Sequence, residues 1–223
     1  DAELAVFCSP NNPGGAADPN IKAVLECLPC PRLLFDHTYK EFLWGDSLYE
    51  SHNWNELMNW ARPGASVVTL NSFTKFFHCP GVRLGYAVCN RALAGRMRKA
   101  QPPWMITDFA QTLGERFLER IEEYRDTLPA LQKERASLTR NLGMTGLFVP
   151  DYILEGPSFL CLGLQPGMDA NAIRDALLRQ RILIRSCDAI PGMPPGFIRV
   201  QVRPRPDAER LYEALERLGQ SPP

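Results

Sequence analysis

Three short apolar runs early in the chain each stop at a cluster of polar residues, and this constrains the fold more than any other feature. Leu4 to Cys8 runs into Ser9-Pro10-Asn11-Asn12-Pro13-Gly14-Gly15, Arg32 to Phe35 into Asp36-His37-Thr38-Tyr39, and Ser66 to Leu70 into Asn71-Ser72-Phe73-Thr74-Lys75. Near-continuous apolar runs of this length suit strands of a sheet covered on both faces. The segments between them are long enough for the helical crossovers that parallel strands require. In an open parallel sheet, ligands bind outside the carboxyl ends of the strands. That edge would collect the amide of Asn12, the carboxylate and phenol of Asp36 and Tyr39, and the hydroxyl and amine of Ser72 and Lys75. Pro80-Gly81-Val82-Arg83 then returns a guanidinium to it, ahead of a fourth apolar run, Leu84 to Cys89.

The rest of the chain reads as two further parts. Ile21 to Leu28, Arg91 to Lys99 and Thr107 to Leu118 are candidate helices that complete an α/β region over residues 1–120. A helical pattern from Ile121 to Asn141 connects it onward, with Pro129 expected to kink or break it. After Gly143 and Gly146 the order is strand (Phe159–Leu164), helix (Ala170–Gln180), strand (Ile182–Arg185), strand (Phe197–Val202), helix (Asp207–Leu218). Residues 121–143 are therefore a connecting helix and 144–223 a small α+β domain.

Composition narrows the function classes. The 25 basic and 25 acidic side chains cancel, so binding nucleic acid by neutralising phosphates is not expected. No apolar run is long enough for a bilayer and no secretory leader is visible, so neither a membrane nor an export route is expected. Seven cysteines, an odd number, suit a reducing cytoplasm better than a disulfide framework, and most sit in apolar runs as small hydrophobes. Cys27 and Cys30 form a CxxC with no second pair at zinc spacing, so it is read as structural and no metal site is expected.

The set CSPNNPGG, DHTY and NSFTKFFHCPGVRLGY resembles the pyridoxal-phosphate enzymes of aminotransferase fold type I, in motif order and in approximate spacing. FIRVQVRPRPDAERLYEAL is similar to that family's C-terminal element. The resemblance implies the C-terminal part of the large domain, a mostly parallel sheet, followed by the small domain, with the N-terminal portion of the large domain missing. Within the family, TKFFHCPGVRLGYAV, QPPW and ILIRSCDAIPGMPPGFIRVQVR are most similar to threonine-phosphate decarboxylases of cobalamin biosynthesis, then to histidinol-phosphate aminotransferases. The implied activity is decarboxylation of threonine O-3-phosphate. The alternatives are a histidinol-phosphate-type aminotransferase, or an inactive fragment or pseudoenzyme retaining the fold. The complete protein is expected to be a homodimer.

Roles follow from the resemblance, each beside a plainer reading. Lys75 would take the cofactor aldehyde; otherwise it is a strand-end lysine. Asp36 would pair with the pyridine nitrogen, or cap the next turn. Asn12 and Tyr39 would bond the ring's phenolic oxygen, unless Asn12 only shapes its turn and Tyr39 only packs. Ser72, Thr74 and Arg83 would hold the cofactor phosphate, Arg83 otherwise making a surface ion pair. Arg199 would clamp the substrate carboxylate. Arg203, four residues on and on the same face if the strand continues, and Arg185 would meet a substrate phosphate; otherwise they form a solvated basic edge. His78 is expected to pack locally, and Trp104 to be structural or line an entrance. Gly14 replaces a small hydroxyl residue, His37 an acid and Ser158 an asparagine of the family pattern; Ser158 bears on substrate identity.

Overall fold

Leu33, Phe35, Val67 and Thr69 are buried while their sequence neighbours are half-buried or exposed, the period-two pattern of strands packed on one face. A computed structural model describes residues 2–27, 30–51 and 66–220. The chain divides into two units, Asp1–Pro10 with Ala17–Leu128, and Asn11–Ala16 with Pro129–Pro223.

The first unit holds β1 (Ala5–Cys8), β2 (Arg32–Asp36), β3 (Ser66–Ser72) and β4 (Gly85–Cys89), in the order β1-β2-β3-β4. The first three run parallel and β4 is antiparallel to β3. Helix α1 (Ile21–Cys27) covers one face, where Ile21, Cys30, Leu33, Phe35 and Val67 form a buried cluster. Coverage of both faces, suggested by the apolar runs, is not what the described residues show. Val6 is 62% exposed and Gly85, Tyr86 and Ala87 are exposed on β4. The runs are apolar on both sides, but the alternation follows the one face that α1 covers.

Beyond β3 comes a single helical turn, α3 (Phe73–Phe76), after α2 (Leu48–Ser51). Phe73, Phe76 and Phe77 are all buried, the i, i+3, i+4 set of one helical face. Their rings meet those of Phe42, Phe117 and Tyr124, with Phe77–Phe117 and Phe77–Tyr124 both at 4.9 Å. Phe117 and Tyr124 come from α5 (Asp108–Glu119) and α6 (Ile121–Arg125), which follow α4 (Arg91–Ala100). A lone turn is not stable in water; this one is held by aromatic burial.

A partly buried ionic cluster fixes the segment after β2. Arg125 lies 3.4 Å from the Trp44 ring centroid, pairs with Glu122 at 2.5 Å and Glu41 at 3.5 Å, and donates to the Tyr49 hydroxyl at 3.3 Å. Burial, then the Glu41 carboxylate, pushes the Tyr49 phenol up to about 12. Glu41 belongs to the 3-10 turn Lys40–Leu43 that directly follows Tyr39.

In the second unit, β5 (Phe148–Glu155), β6 (Phe159–Leu164), β7 (Arg185–Ser186) and β8 (Phe197–Gln201) form an antiparallel sheet ordered β5-β6-β8-β7. Helices α7 (Leu128–Gly143), α8 (Ala170–Arg179) and α9 (Arg205–Gln220) pack on one face. Leu142, Leu177 and Leu215 meet Leu160, Leu162, Ile198 and Val200 there. The other face carries Cys161, Phe197 and Arg199 by alternation. Strand β5 is not among the sequence expectations: it contains Pro150 and an irregular register between Phe148 and Ile153, features of an edge strand. Of the kink or break expected near Pro129, the structure has the break, α6 ending at Arg125 and α7 starting at Leu128. Pro129 thus sits in a first turn, where its missing N–H costs nothing.

Arg125→Met should destabilise the protein by about 2 kcal/mol, because the partly buried Glu41 carboxylate keeps only the Tyr49 hydroxyl as donor. Adding Glu41→Gln should recover part of the loss. Denaturant midpoints of the two variants measure both effects, and an unchanged midpoint for Arg125→Met contradicts the account.

Candidate functional site

In the first unit the polar residues gather at one end of the sheet. Register places Asp36 beside Cys8 on one side and Leu70 on the other, and the next backbone bonds continue the ladder, Ser9 N–H to the Asp36 carbonyl and His37 N–H to that of Leu70. Asp36 Oδ1 accepts from the Thr38 N–H at 2.9 Å, the local turn expected of an Asp at a strand end. Tyr39 follows, buried, its ring 6.0 Å from Phe42.

Ser72 ends β3 and caps α3, its hydroxyl accepting from the Thr74 N–H at 3.2 Å and lying 2.6 Å from Thr74 Oγ1. Because Phe73, Phe76 and Phe77 take the buried face, Lys75 is left exposed. The loop 77–84 then folds back: Phe73 N–H donates to the Leu84 carbonyl at 3.1 Å, Cys79 Sγ to that of Phe73 at 3.3 Å, and Ser72 pairs with Gly85. Arg83 lies in that return at φ 56°, exposed, donating to the Pro80 carbonyl at 2.9 Å. Asp36, Ser72, Thr74, Lys75 and Arg83 thus all stand at the carboxyl end of β2 and β3. Two hydroxyls, an ammonium and a guanidinium are a donor set for a dianionic phosphate, and the nearby carboxylate suits a protonated ring nitrogen.

The second unit holds the remaining residues. Asn11 shapes the 11–16 loop: its Oδ1 accepts from the Gly14 N–H at 2.8 Å and its carbonyl from the Gly15 N–H at 3.0 Å. Asn12 is therefore not needed for the turn, and Arg199 donates to its Oδ1. Gly15, at φ 83°, lies so close to residues 155–156 that a Cβ would come within 2.3 Å of Gly156 Cα. Arg135 holds the other side, donating to the Gly156 carbonyl at 3.0 Å and pairing with Glu155 at 3.2 Å.

Arg199 stands directly opposite Cys161 on β6 and Arg185 on β7, so the three form one row on one face. Its guanidinium lies 5.4 Å from the Phe159 ring centroid. Arg203 is not in that row, contrary to the four-residue spacing. Strand β8 ends at Gln201, and Pro204 leads into α9. Arg203 instead pairs with Asp207 at 3.1 Å and borders a cavity of about 290 Å3 with Val200 and Leu211, on the helix-covered side. His78 is exposed at φ 51° and closes α3 rather than packing. Trp104 is 95% exposed, so it supports no part of its own unit. Ser158 is buried, its carbonyl accepting from the Val202 N–H at 2.9 Å. Cys161 and Cys187 drew no role from the sequence, because the pairing of β6 with β8 that sets Cys161 beside Arg199 has no signal along the chain. Among the described residues no group of three or more His, Cys, Asp or Glu could hold a metal, and no helix is long and apolar enough to cross a membrane.

The family model described as aminotransferase class I and II matches residues 2–218. A threonine-phosphate decarboxylase of Salmonella typhimurium is 30% identical over 220 residues, covering 96% of this chain and 57% of its own length. A histidinol-phosphate aminotransferase of Methanococcus maripaludis is 25% identical over 217 residues, covering 96% of this chain and 56% of its own. The chain spans little more than half the length of these relatives. The crystal structure of histidinol-phosphate aminotransferase from Sinorhizobium meliloti in complex with pyridoxal-5'-phosphate shares the fold, with a TM-score of 0.81, 22% identity, and coverage of 99% of this chain and 58% of that one.

Gly15→Ala should cost about 2 kcal/mol or more, from a side chain at positive φ forced against backbone. Hydrogen exchange should then rise over residues 11–16 and 155–156 together. Exchange that rises at the substituted residue alone would show that this contact does not hold the loop.

Proposed function

Because the chain belongs to the aminotransferase class I and II family, whose members are pyridoxal-phosphate-dependent, we propose that the whole protein is a pyridoxal-phosphate enzyme that decarboxylates threonine O-3-phosphate in cobalamin biosynthesis. The residues at the carboxyl end of β2 and β3 fit the cofactor by the chemistry of their donors. Ser72, Thr74 and Arg83 would donate to its phosphate, Asp36 would keep a proton on the ring nitrogen, and Tyr39 would hold the ring oxygen. When bound, the group supplies an electron sink for charge developed at the substrate α-carbon. Lys75 would supply the amine that holds the cofactor, and a base or acid at that carbon.

The observation that carries the substrate reading is the pair Arg185–Arg199. Like charges directly opposite one another across two strands are destabilising. A substrate with both a carboxylate and a phosphate relieves that repulsion, Arg199 taking the carboxylate and Arg185 the phosphate. Arg203, already paired with Asp207, has no part in it. The second reading, a histidinol-phosphate-type aminotransferase, is favoured by the relative and the structure of that name. It uses the same residues and differs in needing an oxo-acid acceptor.

The homodimer reading is supported by Trp104, Met105, Ile106 and Phe109, consecutive or near-consecutive and all exposed, an apolar patch of the kind that marks interfaces. A cytoplasmic setting is supported by seven free cysteines.

With threonine O-3-phosphate and no acceptor, the intact protein should release carbon dioxide and form an aminopropanol phosphate. Glutamate depletion with imidazole-acetol phosphate, and no carbon dioxide from threonine phosphate, would decide for the aminotransferase. Lys75→Ala should abolish turnover and leave no cofactor attached after borohydride reduction, read by intact mass. Arg185→Ala should raise KM about tenfold to a hundredfold, while Arg203→Ala should leave it unchanged; the reverse pattern would reassign the phosphate contact.

A further inference from the structure

The ladder between β7 and β8 consists of Arg185 with Arg199 and Ser186 with Ile198. Residues 182–184 precede it, and between them, the end of β8 and the first turns of α9 lies the cavity of about 290 Å3. Ile184, Val200 and Leu211, all buried, give it an apolar lining. Arg181, Arg203 and Arg210 line it as well, all exposed to solvent. Among the described residues that line it, Asp207 is the one acid, and Arg203 takes it at 3.1 Å. Arg181 and Arg210 have no carboxylate partner among the described residues.

Both of these arginines are placed by backbone. Arg210 donates to the Gln180 carbonyl at 2.6 Å. Arg181 closes α8 at φ 61°, its N–H donating to the Leu178 carbonyl at 2.9 Å and that of Ile182 to the Leu177 carbonyl at 3.0 Å. This is the left-handed helix cap at which glycine is usual, because a Cβ is strained there. Strain of this kind collects at binding sites.

We propose that this cavity binds an aromatic phosphate monoester, at a site separate from the row of Arg185 and Arg199. The site does not rest on the reaction proposed above, since Val200 lies on the helix-covered face of β8 and Arg199 on the other. Two guanidiniums without a carboxylate match the two charges of a phosphate monoester, and each presents a planar fork to its oxygens. The apolar lining calls for a body as well as a head. A cavity of roughly 150 Å3 already takes benzene, so this one has room for a ring and its phosphate. A ring is also favoured over a straight chain, because it loses less rotamer freedom on binding. Arg203, held by Asp207, serves as wall rather than as an anion contact.

The experiment titrates the intact protein, loaded with pyridoxal phosphate so that the cofactor's own phosphate contacts are taken, with phenyl phosphate in a calorimeter. Binding is expected, about tenfold tighter than that of inorganic phosphate, from burial of the ring. Arg181→Ala and Arg210→Ala should each weaken it about tenfold, the loss of one charge-assisted contact. Arg185→Ala should leave it unchanged. Absence of phenyl phosphate binding overturns the proposal. Equal affinity for inorganic phosphate removes the apolar lining from the site, and binding lost in Arg185→Ala but kept in Arg210→Ala moves the ligand to the other face; either result also overturns it.

Discussion

The position of Lys75 depends on aromatic burial rather than on any bond that Lys75 makes. A helical turn of four residues cannot hold itself together, and α3 is that short. It is held because Phe73, Phe76 and Phe77 enter a cluster completed by Phe42, Phe117 and Tyr124. Each buried ring contributes on the order of 2 kcal/mol from area alone. The cluster gathers residues from the segment after β2, from α3 and from α5 and α6. The lysine end of the site and its carboxylate end are therefore referred to one body of packing. The Arg125 cluster extends that body to the turn after Tyr39 with charges instead of rings.

What the sequence disclosed follows from where local chemistry was decisive. The places of Asp36 and Lys75 at strand ends were legible because an apolar run ending in a polar cluster has few folded meanings. Asn12 was ambiguous because two asparagines stand side by side. Only the structure separates them, giving the turn to Asn11 and leaving Asn12 to Arg199. Arg203 misled because strand periodicity carries only as far as the strand, and β8 stops before it. Strand β5 escaped because a proline and a register shift hide its alternation. The row of Cys161, Arg199 and Arg185 was illegible for a different reason: strand order β6-β8-β7 is a tertiary fact, and no spacing along the chain announces it.

That row also shows how the two faces of one sheet can differ in cost. A core face would place apolar side chains opposite one another, as Leu162 and Ile198 do on the helix side. The reverse face sets two arginines across from each other, with Cys161 in the same row. Natural sequences tend to break local rules where a site requires it. The contrast between the two faces of β8 is what motivates the proposed substrate contacts in the second unit, more than any single residue does.

The antiparallel strand β4 has a consequence for the order of assembly. Ser72, Thr74, Lys75 and Arg83 all lie in the stretch from Ser72 to Gly85, whose ends pair with each other. The contacts that shape this corner, Phe73 to Leu84 and Cys79 to Phe73, are short-range in sequence. The parallel pairings of β1 with β2 and of β2 with β3 must instead close longer loops, and long-range pairing is slow. This corner is thus a locally encoded hairpin set into a sheet whose other strands meet late. During folding it is the part of the sheet with the least chain entropy to overcome.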